Sequence, residues 1–106
     1  MTITAEGGLD DLPAAVEVVA YRIVQEAVTN AVRHARATAI GVHVAATAEA
    51  LCVRVEDDGG GIGPGAGGGV GLASMRERAA ELGGWCTVST GEERGTRVLA
   101  HLPRGT

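Results

Sequence analysis

A chain of 106 residues is enough for a single hydrophobic core and too little for two. Its net charge is −4 and its only aromatic rings are Tyr21 and Trp85. The basic stripe and interleaved rings of a nucleic-acid binder are therefore missing, and the core has to come from Val, Ala, Leu and Ile. There is no lysine, which excludes a Walker A loop and the protein-kinase fold, since each sets a lysine on the phosphates of a nucleotide.

Residues 1–6 alternate weakly, as an edge strand would, and Gly7-Gly8 supplies a turn before the acidic link Asp10-Asp11. Pro13 suits the opening of a helix, where its fixed φ and missing N–H do no harm. From Val16, the apolar residues Val19, Ala20, Ile23, Val24, Ala27, Val28, Ala31, Val32 and Ala35 recur every three or four positions. This predicts one long amphipathic helix to about Arg36. The period then becomes two: Ile40, Val42 and Val44 alternate, residues 45–50 read as a turn, and Leu51, Val53 and Val55 alternate again. An antiparallel hairpin with one covered face follows. A second helix is expected over 70–82, with Leu72, Met75, Ala79 and Leu82 on one side and Gly83-Gly84 closing it. Strands at 85–90 and 96–102 complete the chain, joined by a polar turn over 91–95. Strand, helix, two strands, helix, two strands argues for a two-layer α/β sandwich, with helices on one face of a mixed sheet.

Cys52 and Cys86 lack metal-ligand or C-x-x-C spacing and sit in apolar runs, so both are expected as buried free thiols in a reducing compartment. No apolar run approaches the roughly 20 residues of a membrane span, and the start Met-Thr-Ile-Thr-Ala-Glu has no basic region of a signal peptide. A cytoplasmic segment without membrane contact is expected, which leaves room for an anchor elsewhere in a longer chain.

The chemistry concentrates between Val55 and Leu72. The strand ending at Val55 delivers Asp57 and Asp58 into a loop that holds nine of the seventeen glycines. A carboxylate accepts hydrogen bonds from an exocyclic amine, and glycines let backbone pass close to a ligand. A tight hairpin is the competing reading of Asp-Gly, but the glycine segment runs on to Gly71 and into a helix, too long for a two- to five-residue turn and better explained as a lid. Gly69-Val70-Gly71-Leu72 then opens a helix, whose unpaired N–H groups favour anions. Gly63, Gly65 and Gly68 match G-x-G-x-x-G, but this reading places them before the helix and outside any βαβ unit, so a dinucleotide site is not inferred. On the first helix Glu26, Asn30 and His34 share one stripe, being four residues apart. An asparagine inside a helix is unusual enough to mark a polar cluster facing a site, although an ordinary solvated face would carry the same residues. Arg76 and Arg78 read as charged helix surface, and His43 and His101 as structural histidines.

Together these pieces resemble the ATP-binding catalytic domain of two-component sensor histidine kinases, in the GHKL superfamily. Gln25-Glu26-Ala27-Val28-Thr29-Asn30-Ala31-Val32-Arg33-His34-Ala35 is similar to the N box. Val55-Glu56-Asp57-Asp58-Gly59-Gly60-Gly61-Ile62 is similar to the G1 box. Gly69-Val70-Gly71-Leu72-Ala73-Ser74-Met75-Arg76-Glu77-Arg78 is similar to the G2 box of kinases paired with LuxR/NarL-type response regulators, and Gly95-Thr96-Arg97-Val98 to the closing strand. The resemblance covers about residues 10–103 and implies the Bergerat ATPase fold, with ATP and Mg²⁺ as ligands.

It also implies roles. Asp57 would accept from the adenine amine with Thr96 nearby, and Gly59 and Gly61 would shape the base pocket. Asn30 would hold Mg²⁺, Glu26 would act as base or orient a metal-bound water, and His34 would sit at the phosphate end. Gly69, Gly71 and Leu72 would lie at the phosphates, with residues 63–68 as a short lid. Asp58 stands where many relatives carry Asn and would add negative charge near the nucleotide. The phosphoacceptor histidine belongs to a separate dimerisation domain that nothing here resembles, so residues 1–106 are expected to be one catalytic domain cut from a longer kinase that passes phosphate to a response regulator. Two alternatives stay open: an anti-sigma-factor-type serine kinase, and a non-catalytic module in which nucleotide regulates protein contact.

Overall fold

The computed structural model describes residues 1–7, 11–33, 37–59, 68–90 and 95–104, apart from the side chains of 68–72 and 90. The element order is β1 (Thr2–Glu6), α1 (Ala14–Arg33), β2 (Ile40–Ala46), β3 (Ala50–Asp57), α2 (Gly68–Glu81), β4 (Trp85–Thr90) and β5 (Thr96–Pro103). Every element expected from periodicity is present. The Pro13 carbonyl accepts from the N–H groups of Val16 and Glu17 at 3.0 and 3.1 Å, so proline sits just outside the first turn of α1. Helix α2 ends in a Schellman motif: Gly84 N–H bonds the Ala79 carbonyl and Gly83 N–H that of Ala80, both at 2.9 Å, with Gly83 at φ 80°. Boundaries shift from expectation most clearly at β2 and at the start of α2. Strand β2 runs to Ala46 because its partner β3 starts at Ala50, and Thr47 alone closes the turn through its N–H and hydroxyl. Helix α2 begins two residues early, at Gly68.

The sheet order is β1-β2-β3-β5-β4, with β1 parallel to β2 and the other neighbours antiparallel. Strands β3 and β4 are both antiparallel to β5 and hence parallel to each other, so α2 crosses between parallel strands, as α1 does between β1 and β2. Sequence spacing alone hides this split βαβ unit, because β5 arrives last and inserts between β3 and β4. A parallel connection needs a crossover, which the helices supply.

Strand register sorts the side chains by face. Val42–Val55–Val98–Val88 and Val44–Val53–Ala100–Cys86 form rows across the helix-covered face. Against them pack Val16, Val19, Ile23 and Ala27 of α1 and Met75 and Ala79 of α2. The core is thus aliphatic, as the scarcity of rings required; Tyr21 and Trp85 are both exposed. The opposite face carries Ala45–Cys52–His101–Trp85 in one row and His43–Arg54–Leu99–Thr87 in the next. On it Trp85 stacks against His101 (centroids 5.8 Å apart, 13° between planes), and the His43 ring pairs with the Thr4 hydroxyl at 2.6 Å.

The register corrects the reading of one cysteine. Both thiols are free, but only Cys86 is buried; Cys52 alternates onto the open face and is exposed. Burial pushes the Cys86 thiol above its ordinary range, against a smaller opposing pull from Arg76. Brief treatment of the native chain with N-ethylmaleimide is therefore expected to label one thiol, at Cys52, and denaturation to release the second. Mass spectrometry of tryptic peptides reads the outcome, and equal native labelling of Cys86 would contradict the register. Among the described residues, no helix is long and apolar enough to cross a membrane.

Candidate functional site

Topology brings four chain segments to one end of the sheet. Strand β3 finishes there at Asp57, and β5 starts there at Thr96. The β3–β5 register pairs Glu56 with Arg97, so one further step sets Asp57 opposite Thr96. Helix α2 leaves from that end, since its far end delivers Trp85, which lies in the row of Cys52 near the beginning of β3. The C-terminal turn of α1 lies there too: Ala37 N–H bonds the Ala31 carbonyl at 3.0 Å, and Thr38 and Ala39 bond the carboxylate of Asp58.

Asp57 continues the parity of Leu51, Val53 and Val55, so it belongs to the helix-covered face. It is half-buried at the rim of the core. Its Oδ1 accepts from Gly59 N–H at 2.8 Å, a local turn that fixes the carboxylate, while Oδ2 has no hydrogen-bond partner among the described residues. One oxygen orients the group and the other is available to a donor. Gly59 is buried under this turn, and Gly95 holds φ 92° directly against the backbone of Asp57 and Asp58. The main chain there is packed too tightly for any side chain.

On α1, Ala27 and Ala31 are buried while Glu26 and Asn30 are half-buried. At about 100° per residue, Asn30 falls between Ile23 and Val19 on the core-facing arc and Glu26 lies just outside it. A polar side chain on the inner face of the last turns, at the end where Asp57 lies, is the arrangement expected of a group that meets a ligand rather than bulk water. Gly69, Gly71 and Leu72 fall in the first turns of α2, which carry no acidic side chain to compete for the free N–H groups. His34 and Gly61 lie outside the described residues, as do residues 63–67 of the expected lid.

Asp58 behaves differently from expectation. Its Oδ1 accepts from the N–H groups of Thr38 at 2.8 Å and Ala39 at 2.9 Å, and its Oδ2 from the Thr38 hydroxyl at 2.6 Å. The charge is engaged by a neighbouring chain segment rather than laid beside Asp57, because the side chain leaves the strand end on the β2 side. Glu56 likewise serves the open face, paired with Arg54 at 2.9 Å and Arg97 at 3.1 Å. Sequence reading missed Thr38, Ala39 and the role of Gly95. Thr38 lies twenty positions from Asp58, and nothing local marks it as a partner.

Among the described residues no three His, Cys, Asp or Glu side chains converge as a metal cluster. A hard cation at Asn30 would then take most of its oxygen ligands from phosphates and water, the usual mode for Mg²⁺.

The sequence profile of the family described as histidine kinase-, DNA gyrase B- and HSP90-like ATPase matches residues 15–106. The chain is 32% identical over 94 residues to the sensor protein VraS of Staphylococcus saprophyticus, covering 87% of this chain and 27% of VraS. It is 40% identical over 85 residues to the signal transduction histidine-protein kinase/phosphatase UhpB of Salmonella typhimurium, covering 79% of this chain and 17% of UhpB. The chain thus spans about a quarter or less of the length of these relatives. The histidine kinase domain of the Erythrobacter litoralis EL346 blue-light activated histidine kinase superposes with a TM-score of 0.72 at 28% identity, over 97% of this chain and 54% of that one. With that profile matched over residues 15–106 and relatives of 32% and 40% identity across most of its length, this chain belongs to the histidine kinase-, DNA gyrase B- and HSP90-like ATPase family.

Proposed function

We propose that residues 1–106 form the ATP-binding catalytic domain of a longer, cytoplasmic-facing sensor histidine kinase, which donates the γ-phosphoryl group of ATP to a histidine on a separate dimerisation domain. The observation that carries this is Asp57: a carboxylate with one oxygen fixed by Gly59 and the other available, on the helix-covered face, at the sheet end shared by both helices. The name of UhpB, a signal transduction histidine-protein kinase/phosphatase, and the sensor name of VraS support the same reading, and the G2-like sequence from Gly69 to Arg78 favours a LuxR/NarL-type response regulator as the final acceptor.

In this reading Asp57 selects adenine by accepting from its exocyclic amine, with Thr96 beside it. Gly59, and by the G1-box resemblance Gly61, would leave room for the base. Asn30 would hold Mg²⁺, which neutralises phosphate charge when bound. Glu26, next to it on the rim, would orient a water or take a proton, and His34, outside the described residues, keeps the phosphate-end role that the N-box resemblance implies. The first turn of α2, with Gly69, Gly71 and Leu72, presents backbone N–H groups to the phosphates without the lysine that other nucleotide sites use.

Asp57→Asn is the direct test. Losing a charge-assisted hydrogen bond is worth about 1.5–3 kcal/mol, so ATP affinity measured by calorimetry should weaken roughly 10- to 150-fold. Unchanged affinity would remove Asp57 from the site. Phosphoryl transfer is read separately: the chain with a cognate dimerisation domain and labelled ATP should yield an acid-labile phosphohistidine, whereas an acid-stable phosphoserine on a partner protein would contradict the kinase class proposed.

A further inference from the structure

The bonds around Asp58 link the two halves of the site. The last turn of α1 is tied to the segment that follows it, Ala37 N–H donating to the Ala31 carbonyl at 3.0 Å. The next two residues are tied to β3. Thr38 and Ala39 donate their N–H groups to Asp58 Oδ1 at 2.8 and 2.9 Å, and the Thr38 hydroxyl donates to Oδ2 at 2.6 Å. Asp58 returns its own N–H to the Ala39 carbonyl at 3.2 Å, extending the β2–β3 ladder by one step beyond Ile40 and Asp57. An acceptor-only carboxylate thereby meets three donors from one short segment, and the residue on either side of the clasp, Asn30 before Ala31 and Asp57 before Asp58, belongs to the candidate site.

We propose that Asp58 is a positioning residue: by holding residues 38 and 39 against the end of β3, it sets the C-terminal turn of α1, and with it Asn30, at a fixed place relative to Asp57. The inference rests on the nucleotide reading above and extends it to a group that touches no nucleotide. The Thr38 hydroxyl, then the Ala39 and Thr38 amides, hold the Asp58 carboxyl down at about 2 from an ordinary 3.8. A depressed folded-state pKa stabilises the fold above the ordinary carboxylate range and is lost as pH falls through about 2, so the clasp is intact at neutral pH. The three bonds also predict which replacement is tolerated. Asparagine keeps an Oδ1 for both N–H groups and can donate its amide to the Thr38 hydroxyl; alanine keeps nothing.

The test combines two readouts on the folded chain. In Asp58→Ala, amide hydrogen exchange at Thr38 and Ala39 without nucleotide should accelerate at least about tenfold, and the ATP dissociation constant should rise about five- to thirtyfold. Asp58→Asn, which keeps the acceptor geometry but not the charge, should fall between the parent and Asp58→Ala in both. Exchange unchanged in Asp58→Ala, or Asp58→Asn failing as badly as alanine, overturns the clasp. Faster exchange with unchanged affinity overturns the positioning role while leaving the nucleotide site standing. A parent chain that binds no ATP overturns the proposed function and the positioning role with it, a pattern the variants cannot mimic. Should Asp58→Ala not fold, Thr38→Val removes only the exposed hydroxyl bond, and must move both readouts in the same direction by a smaller amount; no movement in either overturns the proposal.

Discussion

Gly95→Ala is expected to cost about 3–5 kcal/mol of stability and to abolish most nucleotide affinity, although it adds a single methyl group. Gly95 has φ 92°, a region that costs a side-chain-bearing residue about 1–3 kcal/mol. A Cβ there would also land on the Asp57 carbonyl oxygen, deep inside van der Waals contact, and press on the Asp58 Cα at 3.2 Å. The obstacle is backbone, so no rotamer change relieves it. Either β5 moves away from β3 or the Asp57–Asp58 segment shifts, and both displace the strand-end carboxylate. For a chain of this size 1 kcal/mol moves the melting temperature by about 4–8 °C, so a fall of at least about 12 °C should be visible by circular dichroism. An alanine variant that melts with the parent and keeps its ATP affinity would show that β5 does not approach Asp57 in this register.

Ile23→Ala should be of similar size but of different origin. Ile23 is fully buried at the centre of the inner face of α1, among the aliphatic rows of the sheet. Its truncation leaves a cavity that the fixed strands cannot fill, at about 2–5 kcal/mol, offset by only a few tenths from the better helix propensity of alanine. Against a total of about 5–15 kcal/mol for a small domain this is a large fraction. Tyr21→Ala, two positions away on the exposed side, should change stability by less than about 1 kcal/mol. Urea unfolding of the two variants side by side makes the comparison, with the midpoint of Ile23→Ala falling and its slope unchanged. Equal losses at both positions would mean that α1 does not seat its Val16–Ile23–Ala27 stripe on the sheet.

Elements were legible because the signals that specify them are local. A three- or four-residue apolar period can bury a face only as a helix, which is how α1 showed itself from Val16 to Ala31. Alternation over 51–55 can bury one face only as a strand. Gly83-Gly84 marked the end of α2 because a left-handed residue is needed to return the chain. The core composition followed from the lack of rings. Asp57, Asn30 and the glycines opening α2 could be singled out because each is a residue type out of place for its element: a carboxylate at a strand end, an asparagine inside a helix, glycines in a helix's first turns.

Other features depended on which strands become neighbours. The insertion of β5 between β3 and β4, the parallel pairing of β1 with β2, the exposure of Cys52 and the closeness of Gly95 to Asp57 all follow from strand order. The clasp between Thr38 and Asp58 joins residues twenty positions apart through a side chain with no periodic signature. Residue type and spacing along this chain determined its helices, its strands and the groups proposed to meet a nucleotide. Only tertiary structure decided which of those groups share one end of the sheet, and that the Asp58 carboxylate is bonded by Thr38 and Ala39, because local periodicity constrains which face a residue takes while pairing between distant strands sets what lies beside it.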